Sequence, residues 1–316
     1  MKIELCKYWK GCKSAFSFTF DDGCYLDSSK KVVKILEDVS EKTDLCIKAT
    51  VGITIGFMND ELVDFWRKAT RDGFFDIASH SIGHDLSFTE STPIEKRGND
   101  AEKSQKTLQE MFKGQSVSTY ILPGGTYDSE GLLPLKEHYI AVRGNKDGIN
   151  YTGNINWLDV KCFTAMLKRP YSDYTDYIDR VIETEGWGVQ MNHWLTEKKE
   201  DVFHSQSLDT FEKECYYLAK KAKKYDVWVD SFEGVAKYLR KYEASELKIT
   251  EESGLYTAKI VGEGARDRDT LLTLCIHTDK KVTLYVNGKA SATLLPQKYK
   301  KVYVPISTNV CFSVEE

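Results

Sequence analysis

From residue 15 to about 240, short apolar runs alternate with longer stretches of helical period, and no other feature narrows the choice of fold so far. Ala15-Phe16-Ser17-Phe18-Thr19-Phe20 alternates with period two, its phenylalanines on one inward face, and stops at Asp21-Asp22-Gly23. Residues 28–39 then place Val32, Val33, Ile35, Leu36 and Val39 on a helical face, with Ser28 or Ser29 as the expected N-cap. Leu45-Cys46-Ile47 is a second strand candidate, ahead of a helix over residues 60–71. Residues 74–78 form a third, followed by a charged helix over 94–112. Four more strands are expected at 118–122, 139–142, 188–191 and 227–229. Strands separated by helices pair in parallel through right-handed crossovers. An α/β barrel is the expected closure, with an open doubly wound sheet as the rival.

After Tyr242 the pattern changes to short β-type runs at 255–260, 271–277, 282–286, 302–306 and 310–314. Ser253-Gly254, Gly262-Glu263-Gly264 and Asn287-Gly288 separate them, the last a strong hairpin pair. The expectation is two domains, residues 1–244 and a small all-β sandwich over 245–316, in keeping with a chain of 316 residues. Lys plus Arg number 44 against 48 Asp plus Glu, so the basic field that nucleic-acid binding needs is missing. No apolar run approaches the roughly 18 residues of a membrane span. The first residues show no apolar leader core, which implies a cytoplasmic protein, or a secreted one if the chain is a trimmed mature form. Eight cysteines without a CxxC pair read as free, buried thiols.

Polar residues follow three of the strand candidates directly, and strand ends of an α/β barrel converge on one face. Asp21 and Asp22 can divide labour between general base and cation ligand, although Asp-Gly is also ordinary turn chemistry. His80 and His84, four residues apart, face the same way across one helical turn and can grip a divalent ion. With Asp22 they make two nitrogens and one carboxylate with open positions. His193, beyond the 188–191 strand, is placed to act as general acid. His138, His204 and His277 have no motif support and carry no assigned role. Lys220-Lys221-Ala222-Lys223-Lys224 reads as a solvated helix face.

Phe18-Thr19-Phe20-Asp21-Asp22-Gly23 followed by His80-Ser81-Ile82-Gly83-His84 resembles the polysaccharide deacetylases, the NodB-homology carbohydrate esterases, over about residues 12–240. The resemblance implies a distorted (β/α)7 barrel and metal-dependent hydrolysis of N- or O-acetyl groups on a carbohydrate. It implies Asp21 as catalytic base, Asp22, His80 and His84 as metal ligands, and His193 as the acid that protonates the departing group. The implied ion is Zn2+, with Co2+, Ni2+ or Mn2+ as alternatives. The third motif aligns with Ile121-Leu122-Pro123-Gly124-Gly125, making the Gly124 amide the oxyanion donor, but isoleucine stands where the family has arginine. Arg143, on a neighbouring strand, is placed to supply that guanidinium, the other reading being a plain salt bridge at the rim. Asp159 is a weak match to the family's fourth-motif acid. Two alternatives stay open: an amidohydrolase of linear amides or imides, and a catalytically weak carbohydrate-binding homologue.

Overall fold

The computed structural model describes residues 1–197 and 205–315, so His204 lies outside the described residues. Eighteen strands run through them: Lys2–Leu5 (β1), Ser14–Phe20 (β2), Ala49–Ile53 (β3), Phe75–Ser79 (β4), Thr119–Ile121 (β5), Ala141–Asp147 (β6), Val160–Thr164 (β7), Trp187–Asn192 (β8), Leu195–Thr196 (β9), Gln206–Ser207 (β10), Val227–Val229 (β11), Glu246–Glu252 (β12), Leu255–Val261 (β13), Leu272–His277 (β14), Val282–Val286 (β15), Lys289–Leu294 (β16), Lys301–Ile306 (β17) and Asn309–Val314 (β18). The helices are Leu26–Thr43 (α1), Asp60–Arg71 (α2), Ile94–Met111 (α3), Ser129–Leu132 (α4), Tyr171–Glu183 (α5), Leu208–Tyr225 (α6) and Phe232–Glu243 (α7).

Strands β2 to β8 pair in parallel in chain order, and β8 returns to β2, closing a seven-stranded barrel. That closure excludes the open doubly wound sheet. The seam is distorted: β11 lies parallel to residues 14–16 of β2, while β3 takes residues 18–20. Phe16, Phe18 and Phe20 do not point into the barrel as the alternation suggested. They pack edge-on against Tyr177 of α5 and Phe211 of α6, in the layer between sheet and helices. Period two therefore turns Ser17, Thr19 and Asp21 to the barrel interior, where Thr19 donates to the Gln190 carbonyl at 3.0 Å. Burying each such phenylalanine contributes about 1.5–3 kcal/mol.

Three local expectations move. The second strand lies at Ala49–Ile53, not at residues 45–47, because it is buried on both faces and its small residues give little hydropathic contrast. Helix α1 starts at Leu26 without a side-chain cap. Ser28 is not its cap: its Oγ accepts from the Leu195 N–H at 2.7 Å. Strand β7 was not anticipated, since exposed Lys161 interrupts its apolar run. Helix α2 matches its expected bounds, and Asn59 caps it by accepting from the Leu62 N–H at 2.9 Å.

Chain contacts divide the molecule into two compact units, residues 14–236, and residues 1–13 with 237–316. The second unit contains a five-stranded antiparallel sheet, β12-β13-β18-β15-β16, and a three-stranded one, β1-β14-β17. Asn287 and Gly288, both with positive φ (51° and 74°), make the tight turn of the β15–β16 hairpin. An undivided 1–244 domain had placed the amino terminus with the barrel. Instead β1 pairs antiparallel with β14, a partner that local sequence pattern does not announce. The eight cysteines form no disulfide, but only Cys162, Cys215 and Cys275 are buried. Among the described residues no helix is long and apolar enough to cross a membrane.

Candidate active site

The barrel's parallel register brings the strand ends together. Asp21 follows β2, and its N–H donates to the carbonyl of Asn192 at the end of β8. His193 follows β8, so the same closure carries both residues to one rim. A cavity of about 410 Å³ there is lined by Asp21, His80, His84, Gly124, Arg143 and His193, with apolar walls from Leu122, Met166 and Met191. Asp22, His80 and His84 each offer a donor atom, all within 4.8 Å of one another.

Backbone geometry builds that cluster. Asp22, Ser81 and His84 all adopt left-handed φ, at 71°, 72° and 61°, which costs a non-glycine residue about 1–3 kcal/mol each. Gly23, φ 70°, completes the sharp exit from β2, and the Trp66 indole donates to its carbonyl at 2.7 Å. The His80–His84 segment is not a helical turn, contrary to the spacing argument. It is a loop in which the Ser81 Oγ accepts from the His84 N–H at 2.8 Å and the Asp100 carboxylate accepts from the Ile82 N–H at 3.0 Å. The two rings converge because the loop curls.

The donor set fits a divalent cation. The Ile121 carbonyl, which can only accept, lies 2.8 Å from His80 Nδ1, so Nδ1 carries the proton and Nε2 presents its lone pair. That Nε2 is buried without a hydrogen-bond partner, its neighbour Asp22 Oδ1 being 3.5 Å away. His84 Nε2 stands 3.6 Å from the same oxygen. Burial alone would raise the Asp22 pKa, but contact with His80 and the nearby His193 and His84 outweigh it and hold the carboxyl below its ordinary value. The group is poised as an anion facing two imidazoles.

Asp21 has a different environment. Arg143 Nη2 donates to both of its carboxylate oxygens at 2.5 Å, in a pair with 1% and 4% side-chain exposure. Burial works against the Arg143 charge, yet Asp21 and Cys162 together more than offset it and the guanidinium pKa is raised. Arg143 also donates to the Gly144 carbonyl at 3.0 Å and contacts Met191 Sδ at 2.7 Å. In the parallel β5–β6 register Arg143 lies directly beside Ile121. A guanidinium thus stands at the level of the missing third-motif arginine, one strand over. His193 Nε2 is 3.9 Å from Asp21 Oδ2. Gly124, φ 65°, sits in the exposed turn after β5, with its backbone at the cavity wall.

Asp159 does not join this group. It accepts from Tyr127 at 2.7 Å and from Lys146 at 2.5 Å. Asp100, which supports the His80–His84 loop and accepts from Tyr120 at 3.0 Å, was missed. Its signal was available: Arg97, Asp100 and Ser104 form a polar stripe of helical spacing on a face of α3 that is buried.

Comparison with known proteins follows the same lines. The family described as polysaccharide deacetylase matches residues 10–141. That span carries Asp21, Asp22, His80, His84 and Gly124 and ends before Arg143 and His193. A search of curated proteins finds no match. Among solved structures, a family 4 carbohydrate esterase from Streptomyces lividans in complex with acetate is 13% identical, with a TM-score of 0.41, covering 69% of this chain and 92% of its own. A polysaccharide deacetylase from Bacillus cereus is 14% identical, with a TM-score of 0.40, covering 62% of this chain and 50% of its own. A deacetylase domain from Bordetella bronchiseptica is 14% identical, with a TM-score of 0.38, covering 46% of this chain and 69% of its own. The matched span, residues 10–141, is the one that holds the Asp21-Asp22 and His80–His84 motifs on which the resemblance to the polysaccharide deacetylases rests.

Proposed function

We propose that the protein is a metal-dependent hydrolase that removes N- or O-acetyl groups from a carbohydrate. The observation that carries this reading is the segregation of two adjacent carboxylates: Asp22 faces His80 and His84, while Asp21 is clamped by Arg143 beside His193. Asp22, His80 and His84 would hold the ion, most simply Zn2+ given two imidazoles and one carboxylate. When bound there, a divalent cation supplies Lewis-acid polarisation of the acetyl carbonyl and acidifies water.

The chain's own residues supply the rest. Asp21, held by Arg143, accepts a proton from the attacking water as general base. The Gly124 N–H donates to the oxygen on which negative charge develops, a contribution worth about 3–4 kcal/mol in comparable sites. His193, across the rim from Asp21, gives a proton to the departing sugar nitrogen or oxygen. Leu122, Met166 and Met191 present apolar surface to a small acyl group and keep water out. The test is release of free acetate from acetyl-xylan and acetyl-chitooligosaccharides with added Zn2+ or Co2+, abolished by chelation and restored by metal. No acetate from any acetylated glycan, with turnover of small cyclic amides instead, would overturn the carbohydrate reading.

A further inference from the structure

In the second unit, strands β1 and β14 bring together four side chains that the barrel site does not use. Glu4 lies opposite Cys275 and Lys2 opposite His277 in the antiparallel register, and the Cys6 N–H donates to the Thr273 carbonyl at 2.8 Å. Alternation places Glu4, Cys6, Cys275 and His277 on one face of this sheet. There His277 Nε2 stands 2.7 Å from Glu4 Oε1. One donor atom from each of Glu4, Cys275 and His277 lies within 4.8 Å of the others. The Cys6 side chain shares this face as a diagonal neighbour of Cys275.

We propose that Glu4, Cys6, Cys275 and His277 form a second metal site, selective for a thiophilic divalent cation such as Zn2+. One carboxylate, one imidazole and two sulfurs make a four-ligand set of the kind that closes a tetrahedral structural zinc site. Metal–sulfur bonds of about 2.3 Å set two tetrahedral sulfurs about 3.8 Å apart, a contact distance for two thiols. The Glu4 and His277 donor atoms must part to about 3.3 Å to share an ion. Side chains with 38% and 30% exposure have room for that rotation. A disulfide fits the register less well. Cys6 sits opposite Thr273, so it is a diagonal neighbour of Cys275, and diagonal positions lie about 7–8 Å apart, past the span of a relaxed bridge. The site would fasten β1, a four-residue edge strand, to β14, coupling metal binding to the order of the amino terminus.

The test is Co2+ titration of the full chain, stripped of metal and kept reduced with a phosphine. The expected result is a thiolate-to-cobalt charge-transfer band in the near ultraviolet. The Asp22, His80 and His84 cluster contains no sulfur and cannot produce it. The band should persist in His80→Ala and disappear in Cys275→Ser. Should Cys275→Ser fail to fold, Cys6→Ser and His277→Ala provide the second reading: each should weaken cobalt binding in that band about tenfold or more. Absence of the band in the reduced wild type, or its survival at unchanged affinity in the Cys6, Cys275 and His277 variants, would overturn the proposal.

Discussion

Glu214 offers a perturbation whose size follows from its surroundings. It lies on the buried face of α6 with Phe211, Cys215 and Leu218. Its Oε2 accepts from Gln206 at 2.8 Å and Gln190 at 3.1 Å, both neutral amides, while Oε1 is buried without a hydrogen bond. Burial pushes its pKa up from 4.5 to about 8, and the two amides only partly offset that. The folded state therefore holds a proton that the unfolded chain has released once pH exceeds 4.5. The associated stability is complete below that value and is lost as pH rises through about 8. The gap between the two pKa values converts to a loss of about 5 kcal/mol at its limit and about 3 kcal/mol at pH 7. Glu214→Gln keeps the shape and removes the titration. Urea unfolding, followed by tryptophan fluorescence at pH 5, 7 and 9, should show the variant gaining on the wild type by several kcal/mol between the extremes. Contributions from other groups cancel in that difference. Parallel stability profiles for the two proteins would refute the reasoning.

Two further predictions concern the barrel mouth. Asp21→Asn should bind metal with wild-type stoichiometry by elemental analysis while acetate release falls at least about a hundredfold, because the proposed general base is removed while the proposed ligands Asp22, His80 and His84 are untouched. Arg143→Met should destabilise the chain by about 3–5 kcal/mol, since Asp21 is left buried and unpaired. In the Asp21→Asn background the same change should cost far less. Additive losses in that double-mutant cycle, measured by denaturant unfolding, would show that the two side chains are not coupled.

Much of the barrel was legible because its signals are local. Strand β2 alternates and stops at a turn motif, α2 carries both its cap and its apolar stripe, and Asn287-Gly288 needs only its own two backbone angles. Signals failed where a segment's environment is uniform or interrupted. All five residues of β3 are buried, so no alternation marks them, and Lys161 breaks the run of β7. The spacing of His80 and His84 predicts convergence through a helical turn, but the rings converge by another route: left-handed Ser81 and His84 curl a loop, and buried Asp100 on α3 holds it.

The sequence by itself determined which donor types are present and in what order they leave the strands, because motif spacing and period two are properties of contiguous residues. Tertiary structure alone decided that Arg143 stands beside Ile121 and grips Asp21, and that Glu4 meets Cys275 and His277 across residues distant in the chain. Those pairings depend on the register between strands separated by up to hundreds of residues. That register is chosen by burial and backbone hydrogen bonding of the whole sheet, which no local window contains.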